Sequence, residues 1–220
     1  MKEMMSEFPI LPADDTVLVL EHLQNDFAHP DGRGDYIVHK FMQESGTFDR
    51  IKKVIEVCRA VGIPIIHIAE TFRPGHPELR VSRNGYVRGS ARVLGLAENS
   101  LSVRGTWGAE IVDDFKPDPD RPEFVVETSK VDPFNCSEFE ILLRNLNRNI
   151  VLLGGLATNF GIEMTARAAN DRDYGVCVLS DCIDRFLEGH SETTVTTLLP
   201  IYGRVATAET IIGELNSQRK

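Results

Sequence analysis

The sequence predicts an α/β fold with three layers, in which a mostly parallel, doubly wound sheet of six strands lies between two layers of helices. Two observations support this prediction. Short apolar runs alternate along the chain with segments whose apolar residues recur at helical spacing. Loops rich in turn residues gather after the apolar runs, where parallel sheets of this kind bind ligands. A chain of 220 residues suits one such domain, and we expect a single domain over 1–220 with its core at about 16–210.

Six runs are predicted to be strands. They are short, largely apolar and bounded by turn residues, which is typical of strands covered on both faces. In chain order they are residues 16–20, 64–69, 124–126, 150–153, 175–179 and 204–206.

The helices between these strands follow from apolar spacing and from capping residues. Ile51, Val54 and Ile55 lie on one face of a predicted helix over 48–60, which Gly62 ends. Ser137 and Glu140 form a predicted capping box at the start of a helix over 138–147. Further helices are predicted over 165–172, 193–201 and 208–216, and a short amphipathic segment over 107–115. Residues 70–105 show no clear element and are typical of a binding loop or lid.

The stretch from 150 to 165 organises the rest of the chain. It comprises an apolar strand, the pair Gly154-Gly155, a short loop and then the first turns of a helix. Free N–H groups and the helix dipole at such a turn favour a thiolate, an oxyanion or a carboxylate. We therefore expect a functional site here.

The composition limits the class of protein. A net charge of −9 without a long basic run argues against nucleic-acid and acidic-membrane partners. No apolar run is as long as a membrane span, and residues 1–8 lack the apolar region of a signal peptide. The four cysteines occur at no metal-ligand spacing and are expected to be reduced thiols. We expect a cytoplasmic protein with a small-molecule substrate.

Three motifs on the predicted elements carry a family resemblance. Gln24-Asn-Asp-Phe27 follows the first strand, Gly155-Leu-Ala-Thr-Asn159 precedes the central helix, and Asp181 ends the next strand. Together they resemble the isochorismatase-like hydrolase superfamily, which includes nicotinamidases, N-carbamoylsarcosine amidases, ureidoacrylate hydrolases and isochorismatases. The resemblance runs from about residue 16 to 209. It implies a Rossmann-like fold, hydrolase activity without a cofactor, and a homo-oligomer (dimer or tetramer).

The amidase members of that superfamily use an Asp, a Lys and a Cys nucleophile, and all three positions differ here. The resemblance aligns them with His22, Thr128 and Gly161. Glu21, one residue before His22, supplies a carboxylate only if the strand end is locally shifted. Lys130 is two residues out of register, a shift that keeps its face on a strand.

Gly161 excludes an acyl-thioester intermediate at that residue. The family resemblance also implies a cis peptide at Leu156-Ala157, with the Ala157 and Gly161 amides facing one oxygen as an oxyanion hole. Isochorismatases likewise carry Gly at this position; they cleave a vinyl ether by protonating a carbon and adding water.

Each candidate catalytic residue has a structural alternative. His22 either acts as acid or base in the pocket, or is a core histidine bonded to a carbonyl. Glu21 either takes part in the chemistry or pairs with a neighbouring group. Lys130 either faces the pocket or is solvated, and Cys136 is either an activated thiol or inert.

The candidate substrate-binding residues are weighed in the same way. Gln24 either reaches the substrate or ties loops together, as Asp26 does, and the aromatic rings are pocket walls or core. The full candidate set is Gln24, Phe27, Trp107, Thr128, Phe134, Ala157 and Thr158. Arg73, Arg83 and Arg88 either clamp a carboxylate or lie on a solvated loop. His67 is expected to be a satisfied core residue. Near His76, the family's Asp-x-His metal motif reads Glu70-Thr-Phe72, so we expect no metal.

Two hypotheses about function follow. One is a thiol-free hydrolase of a small polar or carboxylated molecule, in which water attacks directly and His22 or Glu21 is the acid or base. The other is an inactive relative that binds a small metabolite or a protein partner.

Overall fold

The computed structural model describes residues 8–34, 36–79, 89, 95–184 and 189–219. It contains one six-stranded sheet in which every neighbouring pair is parallel, with the strand order β3-β2-β1-β4-β5-β6. The strands are β1 (Thr16–Glu21), β2 (Ile65–Glu70), β3 (Glu123–Thr128), β4 (Ile150–Gly155), β5 (Gly175–Ile183) and β6 (Arg204–Ala206). The predicted fold class is confirmed.

Helices cover both faces of the sheet. The helices are α1 (Asn25–Ala28), α2 (Tyr36–Glu44), α3 (Thr47–Val61), α4 (Phe139–Asn145), α5 (Glu163–Asn170), α6 (His190–Thr193), α7 (Leu199–Tyr202) and α8 (Ala208–Asn216). Single π-helical turns, Thr158–Ile162 and Thr194–Leu198, lead into α5 and α7. The predicted segment at 107–115 forms two 3₁₀ turns, Trp107–Ala109 and Asp113–Phe115. No helix in the described ranges is long and apolar enough to cross a membrane.

The side chains of β1 alternate between two apolar cores. Leu18 and Leu20 pack with α3 and α8 on one face, whereas Val17 and Val19 pack with α4 and α5 on the other. This alternation is the two-residue period of a strand, and it sets the direction of the next side chain. Glu21 therefore points to the face that α5 covers.

The start of α4 differs from the prediction. The helix begins at Phe139, whose N–H donates to the Ser137 hydroxyl over 3.1 Å. The Glu140 carboxylate accepts from Arg144 at 2.6 Å instead of reaching back along the chain. The N-cap residue is Glu138, which makes no side-chain cap, so Ser137 only accepts the Phe139 N–H from one position earlier. The predicted capping box was wrong, because an (i, i+4) ion pair takes the Glu140 side chain.

A third, small core anchors the long loop that follows β2. Phe72, Leu96 and Leu101 are buried together, and Phe72 forms an isolated parallel bridge with Val103. The Ser102 N–H donates to the Asp26 carboxylate over 2.7 Å. Asp26 therefore ties the loop to the segment after β1, as predicted.

Candidate active site

The candidate site lies where β1 and β4 end side by side. Glu21 and Gly155 form the last residue pair between these strands. The strand order reverses direction at this pair, and such a switch point leaves a crevice beyond the carboxyl ends of the strands. Gly155 has a φ of 108°, and a Cβ there would lie 2.3 Å from the Glu21 carbonyl oxygen. Only glycine allows the two strands to approach this closely.

The Glu21 carboxyl group fills the space beside Gly161. The Glu21 residue is fully buried, and a Cβ built on Gly161 would lie 2.2 Å from Glu21 Oε2. Residue 161 therefore cannot carry a side chain unless Glu21 moves. A carboxyl group occupies the place in which any side chain at position 161, including a cysteine, would begin.

The side chain of His22, the next residue in the chain, also lies beside Gly161. Its φ of 52° is left-handed, which is uncommon for a residue other than glycine, and its N–H donates to the Ile68 carbonyl. Consecutive strand residues normally point to opposite faces, but this turn brings His22 round to the Glu21 side. His22 Nε2 lies 3.8 Å from Glu21 Oε2 and 3.2 Å from the Cβ position of Gly161.

Burial raises the pKa of Glu21 to about 8. The negative charge of Asp132 raises this pKa further, and the Thr165 hydroxyl opposes both effects by favouring the anion. Neither carboxyl oxygen makes a hydrogen bond of ordinary geometry with any described residue. Because desolvation penalises the charged form, Glu21 carries a proton at neutral pH and can donate it.

The turn after β4 passes the same place, since the Leu156 carbonyl oxygen also lies near the Cβ position of Gly161, at 3.1 Å. The Leu156-Ala157 peptide is cis, as predicted. The Ala157 N–H has no hydrogen-bond acceptor among the residues described, and Ala157 is partly exposed. The Ala157 amide is therefore available to a bound oxygen atom.

The Thr158 side chain is occupied by the end of β5. Its N–H donates to the Asp184 carboxylate over 2.6 Å, and its hydroxyl donates to the Asp184 carbonyl oxygen. Both residues are fully buried. These bonds fix the turn, so the structure gives Thr158 a supporting role in place of the predicted contact with substrate.

Thr128 and Lys130 lie at the end of β3, two strands away from β1. The Thr128 hydroxyl accepts a hydrogen bond from the Lys130 N–H at 3.0 Å, which closes the turn between them. Lys130 is partly buried and makes no ion pair with Glu21. The charge that acts on Glu21 from this loop is instead that of Asp132.

Gln24 is a structural tie. Its amide nitrogen donates to the carbonyls of Glu70 and Ala109, at 2.8 and 3.0 Å, and its amide oxygen accepts from the Glu70 N–H at 2.8 Å. The side chain is fully buried. Gln24 therefore links β1, β2 and the 3₁₀ turn at 107–109, which supports the alternative that it ties loops together over the one in which it reaches the substrate.

Gln24→Ala should lower the free energy of unfolding by about 3 kcal/mol, because three buried bonds are lost and their backbone partners remain unpaired. Chemical denaturation measures this change. Gln43, exposed on α2, is the matched control, and Gln43→Ala should alter the stability by less than about 0.5 kcal/mol. An unchanged midpoint for Gln24→Ala would contradict the structural role.

The three aromatic candidates lie in different places. Phe27 contacts His22 edge-on, with ring centroids 6.4 Å apart, so it borders the candidate site. Trp107 is half exposed and packs edge-on against His29. Phe134 lies in the apolar core, edge-on to Phe139 and tilted against Tyr174. For Phe134, the structure supports the core alternative over the pocket wall.

The other predicted residues are mostly engaged elsewhere. Arg73 pairs with Glu78 at 2.6 Å, while Arg83 and Arg88 lie outside the described residues. His76 is buried, and its Nε2 lies 2.8 Å from the Leu101 carbonyl oxygen.

His67 and Cys136 lie in opposite environments, one buried and one exposed. His67 is buried with its pKa lowered to about 4 by desolvation, but its Nδ1 has no partner in the described structure, so it is not the satisfied residue we expected. Cys136 is exposed, and its thiol donates to the Asn135 side chain.

The sequence analysis did not identify Thr165, Asp132 and Asp184 as site residues. Thr165 lies four residues after Gly161 and is fully buried on the same side of the helix. This (i, i+4) spacing is the signal that could have identified it. Asp132 and Asp184 lie in loops, and only the folded chain brings them to the site.

Comparison with known proteins gives a consistent result. Residues 16–210 match the Isochorismatase domain family. The ureidoacrylate amidohydrolase RutB of Agrobacterium fabrum is 26% identical over 219 residues, covering 94% of this chain and 92% of that protein. A cysteine hydrolase from Pseudomonas syringae pv. phaseolicola has a TM-score of 0.79 at 19% identity, over 97% of this chain and 99% of that one. N-carbamoylsarcosine amidase from Thermoplasma acidophilum has a TM-score of 0.69 at 22% identity, over 89% and 97%.

Proposed function

The chain belongs to the isochorismatase family of hydrolases, and from that premise we propose that it hydrolyses a small polar or carboxylated molecule without a cysteine nucleophile. Glu21 is the general acid, His22 the base that orients water, and the Ala157 and Gly161 amides bind the developing negative charge. The substrate class is drawn from the similarity to the ureidoacrylate amidohydrolase RutB and to N-carbamoylsarcosine amidase.

One observation carries this proposal. The Glu21 carboxyl oxygen lies 2.2 Å from the Cβ position of Gly161, in the place where a nucleophilic side chain at that residue would begin. A carboxyl with a pKa of about 8 is protonated at neutral pH and is a poor nucleophile, but it is well suited to proton donation. The chemistry therefore shifts from covalent attack to acid catalysis.

The proton transfers balance for an amide or ureide substrate. Water adds to the carbonyl carbon and gives a proton to His22, while the carbonyl oxygen becomes an oxyanion beside the two amides. Glu21 then protonates the leaving nitrogen as the C–N bond breaks. The proton on His22 returns to Glu21 once their side chains, 3.8 Å apart at rest, approach to hydrogen-bond distance, and one water is consumed.

A vinyl ether would use the same groups in another order. Glu21 donates its proton to the terminal carbon of the double bond, and water adds to the resulting cation. The hemiketal then breaks down to a carbonyl compound and an alcohol, and the proton lost by water returns to Glu21.

A second candidate function is binding without turnover, of a small metabolite or a protein partner. The observation that favours it is the complete burial of Glu21, which limits the approach of a substrate to its carboxyl group. Ligand-induced thermal stabilisation without product would support this function.

A hydrolysis screen separates the two. The substrates are isochorismate, nicotinamide, ureido acids, biuret, maleamate and simple esters, each tested with and without iodoacetamide. We expect turnover that survives alkylation, because Cys58, Cys177 and Cys182 are buried with pKa values raised by desolvation.

His22→Ala should reduce this turnover about 100-fold or more, as expected for loss of a general base. Cys136→Ser, at the exposed thiol, is the matched control and should leave turnover unchanged. Loss of activity on alkylation, or in Cys136→Ser, would move the nucleophile to a cysteine and overturn the proposed mechanism.

A further inference from the structure

Two buried polar groups face each other inside the site without a regular hydrogen bond. Glu21 Oε1 and Oε2 and the Thr165 hydroxyl are all fully buried, and none has a partner of ordinary geometry among the described residues. Buried polar groups are normally paired, so an arrangement that leaves two neighbours unpaired calls for an explanation.

Helix geometry places Thr165 opposite Glu21. Thr165 lies on α5, four residues after Gly161, and residues at this spacing share one face of a helix. At Gly161 this face is directed toward Glu21, since a Cβ built there would lie 2.2 Å from Glu21 Oε2. The next turn of the same face carries the Thr165 hydroxyl, which is close enough to Glu21 to favour its anion.

Among the described residues, the Thr165 hydroxyl has no other hydrogen-bond partner. A helical Thr commonly bonds the carbonyl three or four residues earlier, but the Thr165 oxygen makes no such bond. The hydroxyl is therefore available to a neighbouring acceptor. A carboxylate attracts it more strongly than a protonated carboxyl does, because charge-assisted hydrogen bonds are the stronger kind.

We propose that Thr165 is a positioning residue that donates a hydrogen bond to the Glu21 carboxylate formed when Glu21 gives up its proton. The inference rests on the proposed function, since it assigns Thr165 to the anionic stage of that reaction. In the resting state Glu21 keeps its proton, and the Thr165 hydroxyl makes no hydrogen bond of ordinary geometry with it. When the proton leaves, the negative charge forms on the Glu21 carboxylate, and the Thr165 hydroxyl donates a hydrogen bond to it.

The test is the titration of Glu21 itself, which needs no substrate. The infrared C=O stretch of the protonated carboxyl is followed against pH in the full chain, with Glu21→Gln identifying the band. In Thr165→Val the midpoint should rise by about one to two pH units, as expected when a hydrogen bond to a charged group is lost. Thr165→Ser should keep the original midpoint, because it retains the hydroxyl.

Thr16→Val is the matched control, since Thr16 is equally buried at the opposite end of β1. It should leave the Glu21 midpoint in place. An unchanged or lowered midpoint in Thr165→Val would overturn the proposal, as would a shift of the same size in Thr165→Ser. If Thr165→Val does not fold, Thr165→Ala gives the same comparison with a smaller side chain.

The titration and the substrate screen fail independently. A shifted midpoint with no turnover on any substrate would keep the Thr165 hydrogen bond and count against the hydrolase. Turnover together with an unchanged midpoint would support the hydrolase and count against the Thr165 hydrogen bond. In an active protein, the alkaline limb of the pH–rate profile should move upward in Thr165→Val together with the midpoint.

Discussion

Glu21→Gln is expected to abolish turnover and to make the folded protein more stable in alkaline solution. Glutamine has nearly the same shape but cannot donate a proton from an acid group, so the loss in rate should be about 100- to 10,000-fold. The gain in stability arises because Glu21 ionises in the unfolded chain, which favours unfolding of the wild type, whereas glutamine cannot ionise. A variant that is inactive but more stable than the wild type would show that Glu21 acts in catalysis and is not required for stability.

The pH dependence has a definite sign. The pKa of Glu21 is about 8 in the folded chain and near its ordinary value of 4.5 in the unfolded chain. Below pH 4.5 both states are protonated, and the wild type and Glu21→Gln should unfold alike. Between pH 4.5 and 8 the unfolded state alone loses the proton, so the wild type loses about 1.4 kcal/mol of stability per pH unit, as an upper limit. Thermal unfolding across pH 4–9 measures this divergence.

Glu123 is a matched control of opposite sign. Its carboxylate pairs with Arg59 at 2.8 Å, and that pair lowers the pKa of Glu123 despite partial desolvation. Glu123→Gln should therefore be less stable than wild type at neutral pH, and the difference should shrink as the pH falls through the lowered pKa. If both substitutions shift stability with the same pH trend, the raised pKa of Glu21 is wrong.

The sheet could be predicted because its signal is local. Each strand is an apolar run of a few residues, and the alternation of these runs with helical spacing specifies a parallel, doubly wound sheet. The helix α2 was missed because residues 36–44 follow a turn-rich loop and mix apolar with polar residues. Its apolar face is defined by packing in the folded chain.

The sequence predicted where the site lies, but not how its side chains are arranged. The motifs placed Glu21 and His22 at the end of β1 and Gly161 in the turn after the neighbouring strand β4, but the direction of the His22 side chain depends on its left-handed φ. Histidine adopts this conformation more often than most residues other than glycine, but it remains uncommon, so one histidine in a sequence does not predict it. The aligned carboxylate position holds His22, yet the carboxyl group that reaches Gly161 is that of Glu21.

Gly161→Ala should abolish turnover, because its Cβ must displace the Glu21 carboxyl. The new atom would lie 2.2 Å from Glu21 Oε2, 3.1 Å from the Leu156 carbonyl oxygen and 3.2 Å from His22 Nε2. Overpacking of this kind costs about 1–3 kcal/mol, partly offset by the better helix propensity of alanine. Gly161→Cys meets the same oxygen atom, so the added thiol should not restore cysteine chemistry.

Gly213 on α8 is the matched control for this clash. A Cβ there meets no atom within 4 Å, so Gly213→Ala should leave turnover unchanged and stabilise the fold by up to about 1 kcal/mol. The decisive variant combines Gly161→Ala with Glu21→Ala, because the second substitution removes the carboxyl group that the new methyl group would meet. If Glu21 fills the place of a side chain at 161, the double variant should be at least about 1 kcal/mol more stable than the sum of the single changes indicates. Additive effects would mean that the Glu21 carboxyl lies elsewhere, and the acid assigned to it would have to be sought in another residue.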